Sequence, residues 1–473
     1  MPRQSTLTNQ PDNTIPSTVI LFVVSAVQFL TPFMLSAVGV ALPAIGREFS
    51  ATAVQLGLVE AAYILAFSLF LLPVGRLGDI YGRKKIFTIG ILVFTSGTIF
   101  LALAFTIESF IVFRFVQGCG GAMISGNSVA ILATVFPPAR RGRAMGTIVG
   151  CVYLGLSLGP ILAGLMVTHL GWRWIFYFGV LVELGCLFLT VLKLKGEWAD
   201  ARGERFDLLG SFLYVASLFS LIYGALNQKQ DGLYPAFMAS GMLGFVIFLA
   251  FERRSSSPIL DVSLVSRNRV FAFSNLATLI NYAASSGIAF FFSLYLQVVR
   301  GHSPQGAGWI LIIQPLFQAV LSPWIGRLAD RVSPAGLATA GMALCAVGLG
   351  LISQIHAATP IPVIMAMLAL MGVGFSLFSS PNTTTVMASV APKSYGVASS
   401  FLATMRTIGM LCSMTIITLV FKHFMGDHPV SAETRSSFLA SMHFAMMVFC
   451  FLCIAGVFCS MVRLHPASAK ASR

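Results

Sequence analysis

Fourteen apolar runs, each long enough to cross a bilayer as a helix, take up most of this chain and restrict what it can fold into. They centre on residues 18–44, 54–76, 86–105, 108–135, 144–168, 174–194, 208–227, 234–252, 271–298, 306–328, 335–355, 361–380, 396–421 and 439–462. In hydrocarbon, backbone N–H and C=O groups must pair with one another, so a run of about twenty apolar residues spans as a helix. Composition agrees: 57% of the 473 residues are hydrophobic and 10% are charged, with a mean hydropathy of +0.87. One water-soluble core cannot hide that much apolar surface, so lipid must solvate much of it. The expected fold class is an all-α membrane protein with 14 transmembrane helices.

The formal charge of +14 does not point to nucleic acid, because the basic residues stand in short clusters between apolar runs and form no continuous stripe. An even number of spans puts both ends on one side. Of the 30 Lys and Arg residues, 22 lie in the terminal segments and in the connections after even-numbered runs. Six lie on the opposite side, and Arg114 and Arg406 lie within runs. Basic loops stay cytoplasmic, so a multi-pass protein of the cytoplasmic (inner) membrane is expected, with both termini inside. The first run is too long for a signal-peptide core and follows a single base, Arg3, so it is expected to remain as a helix. All eight cysteines fall in apolar runs, and no histidine or second cysteine pair accompanies Cys450 and Cys453. They read as small helix residues, with neither a disulfide framework nor a metal site expected.

The chain repeats itself. Gly75-Arg76-Leu77-Gly78-Asp79, closing the second run, recurs as Gly326-Arg327-Leu328-Ala329-Asp330, closing the tenth, an offset of 251 residues. Six helices do not need so large an offset, but six plus a two-helix insertion do. The expected organisation is a six-helix bundle over 1–195, a two-helix insertion with charged linkers over 196–269, and a second six-helix bundle over 270–473. Parallel repeats of this kind mark transporters that handle substrate between their halves. No metal-ligand cluster, nucleophile motif or Gly-x-x-x-x-Gly-Lys-Ser/Thr nucleotide loop occurs, so neither an enzyme nor a cofactor is expected, and ATP is not the expected energy source.

Three segments carry a family resemblance: Gly75 to Lys85 after the second run, Arg114-Phe115-Val116-Gln117-Gly118-Cys119-Gly120-Gly121-Ala122 in the fourth, and Gly155-Leu156-Ser157-Leu158-Gly159-Pro160-Ile161-Leu162-Ala163-Gly164 in the fifth. With Gly171-Trp172-Arg173-Trp174-Ile175-Phe176, Leu296-Gln297-Val298 and Ser380-Pro381-Asn382, the chain resembles the major facilitator superfamily, specifically its fourteen-helix drug:proton antiporter branch. The resemblance implies a major facilitator type fold with two six-helix bundles plus two inserted helices. It also implies proton-coupled efflux of small amphipathic or drug-like compounds by alternating access. Expected partners are a small-molecule substrate, protons and the lipid bilayer, with no nucleic acid, and the chain is compatible with acting as a monomer. Two alternatives stay open: a dedicated carrier for one metabolite, working in uptake, and a membrane-embedded protein that transports nothing.

The motifs also have a physical reading. In the turn, Gly75, Arg76, Asp79, Gly82 and Arg83, with Gly326, Arg327 and Asp330 in the repeat, are expected to form a conformational latch. Asp79 would accept from a helix N-terminus or pair with an arginine; the plain alternative is a positive-inside loop. Arg114, Gln117, Gly118 and Gly121 share one helical face. An arginine there should face protein or water, or snorkel to the headgroups, and the resemblance implies a coupling role. Gly155, Gly159 and Ala163 make a smooth face for a close helix, Pro160 removes a backbone donor and should bend the helix, and Gly164 completes the motif.

Two departures from the family pattern matter. The position of its usual helix 1 aspartate falls at Met34 and that of its asparagine at Gly39, while the expected Asn-x-Pro is replaced by Gly179-Val180-Leu181. Glu60 and Glu183 are the acids that could compensate, since a buried carboxyl can carry a proton or balance a cationic substrate. Glu60, Arg114 and Glu183 are therefore the proton-coupling candidates. Candidate cavity residues are Gln28, Asn127, Asn281, Tyr282, Gln314, Gln318, Asn382 and Arg406, although amides also serve as glue between helices.

Overall fold

The computed structural model describes residues 17–136, 138–194, 196–199, 201–226, 234–255, 259, 265–266, 268–329, 331–390, 395–426 and 428–463. Among them, 14 helices are long and apolar enough to cross a membrane, one for each apolar run. In order these are α1 (Ser17–Glu48), α2 (Ala53–Tyr81), α3 (Arg83–Ala102), α4 (Ile107–Val135), α5 (Pro138–His169), α6 (Arg173–Lys193), α7 (Leu208–Leu226), α8 (Tyr234–Glu252), α9 (Arg269–Val299), α10 (Pro304–Ala329), α11 (Pro334–Ile352), α12 (Ile361–Ala388), α13 (Tyr395–Phe424) and α14 (Arg435–Val462).

Local chemistry sets several helix starts. Thr52 caps α2, its hydroxyl accepting from the Gln55 N–H at 3.1 Å while the Gln55 side chain accepts from the Thr52 N–H at 2.9 Å. These bonds satisfy backbone donors that the helix itself leaves free. Ser303 and Ser333 cap α10 and α11, and each precedes a proline at the first helical position, where a missing N–H costs nothing.

Two runs differ in detail from their sequence reading. The ninth is interrupted at Ser286 and Gly287 and closes in a π-helical turn over Tyr295–Val299. Gly287 abuts α13 and α14 so closely that a Cβ would lie 2.4 Å from Ile417 Cδ1. The twelfth, expected to stop at 380, continues through Pro381 to Ala388. In its polar stretch the Thr383, Thr384 and Thr385 hydroxyls donate back to the carbonyls four residues earlier, at 2.8, 3.3 and 2.9 Å, which satisfies them inside the span.

The internal repeat is visible in the packing. Within the first bundle α1 lies against α5 and α6, α2 against α4, and α3 against α4 and α6. Advancing each number by eight gives the second bundle: α9 against α13 and α14, α10 against α12, and α11 against α12 and α14. The two bundles meet mainly through α2 on α13 and α5 on α10, which exchange under the same shift. Charged and polar side chains such as Glu60, Arg114, Glu183 and Asn382 are buried among the helices, whereas many Phe, Leu and Val side chains are exposed, as on a face that lipid would cover.

The insertion sits outside this symmetry. α7 touches α2 and α13, the Tyr214 hydroxyl donating to the Ser68 carbonyl at 2.9 Å, and α8 packs chiefly on α7. Tyr214→Phe removes that bond while keeping the ring against Phe248. It is expected to cost about 1 kcal/mol, seen as a small drop in the melting temperature of purified protein with transport unchanged.

Candidate functional site

The first bundle encloses a connected set of polar side chains deep among its helices. Arg114 on α4 is 0% exposed, Glu60 on α2 is 4% exposed and Glu183 on α6 is 2% exposed. Arg114 Nη2 pairs with Glu60 Oε2 at 3.3 Å, its Nε donates to the Val59 carbonyl at 3.3 Å, and its guanidinium lies 4.4 Å from the Tyr63 ring centroid. From Arg114 the chain of bonds runs on: Nη1 donates to Gln117 Oε1 at 2.8 Å, and Gln117 Nε2 donates to Thr98 Oγ1 at 2.9 Å. Thr98 then reaches Glu183 Oε1 at 3.1 Å and the Phe94 carbonyl at 2.9 Å. A hydroxyl has one proton to give, so Thr98 serves these two acceptors alternately. Four helices thus join two carboxyls through a guanidinium, an amide and a hydroxyl.

All three coupling candidates fall in this one network, and Arg114 does not snorkel. The local sequence explains why they can meet. Gly118 and Gly121 bring α4 against α2, a Cβ at Gly118 lying 2.3 Å from the Tyr63 carbonyl, while Gly97 and Gly120 bring α3 and α4 equally close. The positions that depart from the family pattern lie alongside. Met34 fills the notch at Gly179, one turn from Glu183, and a Cβ on Gly39 would lie 3.9 Å from Glu60 Oε1. Glu60 Oε1, Glu183 Oε2 and the Tyr63 hydroxyl are buried without a hydrogen-bond partner. Thr98 escaped the sequence reading, because a threonine within an apolar helix ordinarily bonds its own backbone and carries no distinguishing pattern.

At the opposite end of α2 the turn motif is tightly held. Arg83 reaches Asp79 Oδ1 through Nε at 2.8 Å and Nη2 at 2.6 Å, and its Nη1 donates to Thr134 Oγ1 at the end of α4 at 2.9 Å. Asp79 therefore pairs with an arginine of its own turn, one of the two arrangements expected. The connection after α6 seals the turn. Glu197 accepts from the Lys84 N–H at 2.8 Å, the Arg83 N–H donates to the Trp198 carbonyl at 2.8 Å, and Arg76 pairs with Glu204 at 2.5 Å. In the repeat, Arg327 lies over the Trp324 ring at 5.9 Å, a Cβ on Gly326 would meet Ser380 Oγ at 3.5 Å, and Asp330 lies outside the described residues. Gly82 has φ +117°, and a Cβ there would lie 2.3 Å from the Glu197 carboxyl carbon. Gly82→Ala is expected to cost about 1–3 kcal/mol, measured as a fall in the thermal midpoint, and to expose the 196–204 connection to protease.

Helix α5 serves both bundles. Gly155 and Gly159 face α1, where Cβ atoms would lie 2.3 Å from the Phe29 carbonyl and 1.9 Å from Ser36 Oγ. Gly164 and the Pro160 carbonyl face α10 of the other bundle, against Pro304 and Gly308. Further bonds between bundles cluster at this end, remote from Arg83: Ser293 donates to the Gly39 carbonyl at 2.6 Å and Gln297 to the Val40 carbonyl at 2.9 Å. Helix α5 runs unbroken through Pro160.

The remaining candidates scatter. Asn127 lies in the α2/α4 seam, bonded to the Met123 carbonyl at 2.9 Å and pressed on Gly78. Asn382 ties α12 to α9 through Thr278 at 2.7 Å and the Ser274 carbonyl at 3.1 Å, and accepts from Arg463. Arg463, which the sequence placed with the basic tail, is buried there and also donates to Ser274 and Ser460. Gln28, Asn281 and Gln318 are buried, and the Gln314 carbonyl packs against Gly372. Arg406 and Tyr282 stand together, 5.9 Å from guanidinium to ring centroid.

The duplicated bundles, with a charged network in the first and an outlying helix pair, have a known counterpart. The profile of the Major Facilitator Superfamily matches residues 24–251 and 275–473. The chain belongs to this superfamily. Among members of the superfamily it is 27% identical over 409 residues to the riboflavin transporter RibZ of Clostridioides difficile, covering 86% of this chain and 88% of that protein. It is 32% identical over 388 residues to the multidrug resistance protein Stp of Mycobacterium tuberculosis, covering 80% and 71%. The tetracenomycin C resistance and export protein of Streptomyces glaucescens is 26% identical over 394 residues, covering 82% and 73%. Superfamily structures share the fold. The peptide-transporter-family protein PepTSo superposes with a TM-score of 0.71 at 15% identity, covering 94% of this chain and 97% of its own. A bacterial homologue of the human lysosomal transporter Spinster, inward-facing and unoccupied, superposes at 0.69 with 14% identity, covering 96% and 98%.

Proposed function

We propose that this superfamily member exports amphipathic or drug-like compounds in exchange for protons, with both termini in the cytoplasm and the two bundles rocking about a central cavity. The observation that carries the reading is the buried Glu60–Arg114 pair and its continuation through Gln117 and Thr98 to Glu183. Two carboxyls joined by polar groups through a membrane-embedded bundle provide sites where a proton can be held and handed on, and intramembrane ionisable groups are rare without such a role. The names of two relatives, a multidrug resistance protein and an antibiotic resistance and export protein, favour efflux over uptake. The Asp79–Arg83–Thr134 contacts act as the latch, fastening α2 to α4 beside the entrance that opens when the remote end closes.

The test is dye flux in proteoliposomes with an imposed pH gradient. Wild-type protein should concentrate a fluorescent amphipathic dye only while the gradient lasts, and Glu60→Gln should abolish that dependence. Gradient-independent flux that Glu60→Gln leaves intact removes the coupling. A second reading, a dedicated carrier for one metabolite, draws on the riboflavin transporter, which aligns with more of this chain than the two resistance proteins do. A deletion strain sensitive to many compounds favours export, and one with a single auxotrophy favours uptake.

A further inference from the structure

The two arginines inside the membrane spans are treated very differently. Arg114 has a carboxylate, an amide, a carbonyl and an aromatic face around it. Arg406, on α13, has five N–H donors and, among the described residues, one hydrogen bond, from Nη2 to Thr383 Oγ1 at 2.8 Å. Its Nε is buried and unpartnered. Among the described residues no carboxylate pairs with it. Acids are scarce in its own half of the sequence: from residue 270 onward they are Asp330, Asp427 and Glu433, none of them in an apolar run. The buried Arg463 is also without an acid, yet three residues accept from it, and it lies beyond the end of α14.

An unneutralised guanidinium in a span is costly, and such groups mark the places where a charge of opposite sign is received. The Tyr282 ring lies 5.9 Å from the Arg406 guanidinium carbon and is held edge-on by Phe375, with ring centroids 5.1 Å apart. From the other bundle, Tyr153 on α5 lies within electrostatic reach of Arg406 and Tyr282. The cation thus has a hydroxyl and a ring beside it from its own bundle, with a second tyrosine nearby from the other.

We infer that Arg406, flanked by Thr383, Tyr282 and Tyr153, is the subsite for an anionic group, a carboxylate or sulfonate, on an aromatic amphipathic substrate. The guanidinium offers two parallel donors to such a group, and the rings cover its apolar part. The inference deepens the export reading, since it rests on substrate entering between the bundles, but it makes no use of the proton.

The experiment is equilibrium binding to the purified full chain in nanodiscs, without any gradient, of naphthaleneacetate, its neutral amide and naphthylmethylammonium. Wild type should bind the acid roughly tenfold or more tightly than the amide, the scale of one lost charged hydrogen bond. Arg406→Gln should erase that preference while leaving amide binding in place, and Arg406→Lys should keep part of it. Equal binding of acid and amide by wild type overturns the inference, whether or not Arg406→Gln folds, as does an acid preference that survives Arg406→Gln. Failure of all three compounds to bind counts against the export reading as well.

Discussion

Arg114→Ala should be the most damaging single substitution in the spans, lowering stability by about 3–5 kcal/mol and abolishing transport. Removing the guanidinium takes from the buried Glu60 carboxyl its ion-pair partner and frees Gln117 Oε1 of its donor. An uncompensated buried charge costs more than the intact pair contributes, so the double variant Glu60→Gln with Arg114→Gln should be more stable than Arg114→Ala alone. Thermal unfolding of purified protein measures both comparisons. The double variant should melt nearer wild type yet transport nothing in response to a pH gradient, which separates the structural part of the pair from its coupling part. Equal melting temperatures for wild type and Arg114→Ala would show that the network is not a structural element of the bundle.

Gly308→Leu should trap the protein rather than unfold it. A Cβ at this position lies 2.2 Å from the Pro160 carbonyl oxygen across the junction of the two bundles, and backbone on both sides leaves nothing flexible to yield. Such overpacking costs about 1–3 kcal/mol. Because the clash exists only while this end is closed, the cost shifts the equilibrium between closed and open by roughly 5- to 150-fold. Distances between labels placed across the connections after α1 and α13 should lengthen, with helicity and elution unchanged and transport lost. Gly150, with nothing within 4 Å of a built Cβ, is the control position, where alanine should alter neither distance nor transport.

Much of this organisation was legible in the chain itself. Hydrocarbon imposes helix length, so the fourteen runs mark fourteen helices, and pairings among α1–α6 recur among α9–α14, the parts of the chain that carry the Gly-Arg-Leu repeat. Buried charge is equally readable, since an arginine at 114 and acids at 60 and 183 have few places to go in a span. Their joining was not readable. Thr98 connects Gln117 to Glu183 because glycines at 97 and 120 let α3 approach α4, a three-dimensional consequence of two small residues 23 positions apart. For the same reason the polar candidates divide unpredictably: Asn127 presses on Gly78 and Asn382 bonds Thr278, each joining helices of one bundle, whereas Arg406 stands with Tyr282 and Thr383. The interruption of α9 at Ser286 and Gly287 was hidden too, because it lies where other helices approach Gly287 closely.

The proposed exchange requires the buried Glu60–Arg114–Gln117–Thr98–Glu183 network to carry a proton in step with substrate. Its most direct test is the proton count when a transported compound is added to purified protein in weakly buffered detergent solution, read with a pH indicator. Wild type should release or take up about one proton for each molecule bound, and Glu60→Gln should bind without changing the pH. Saturable binding by wild type with no proton exchanged at any pH between about 5 and 8, the range in which coupling must operate, would contradict it.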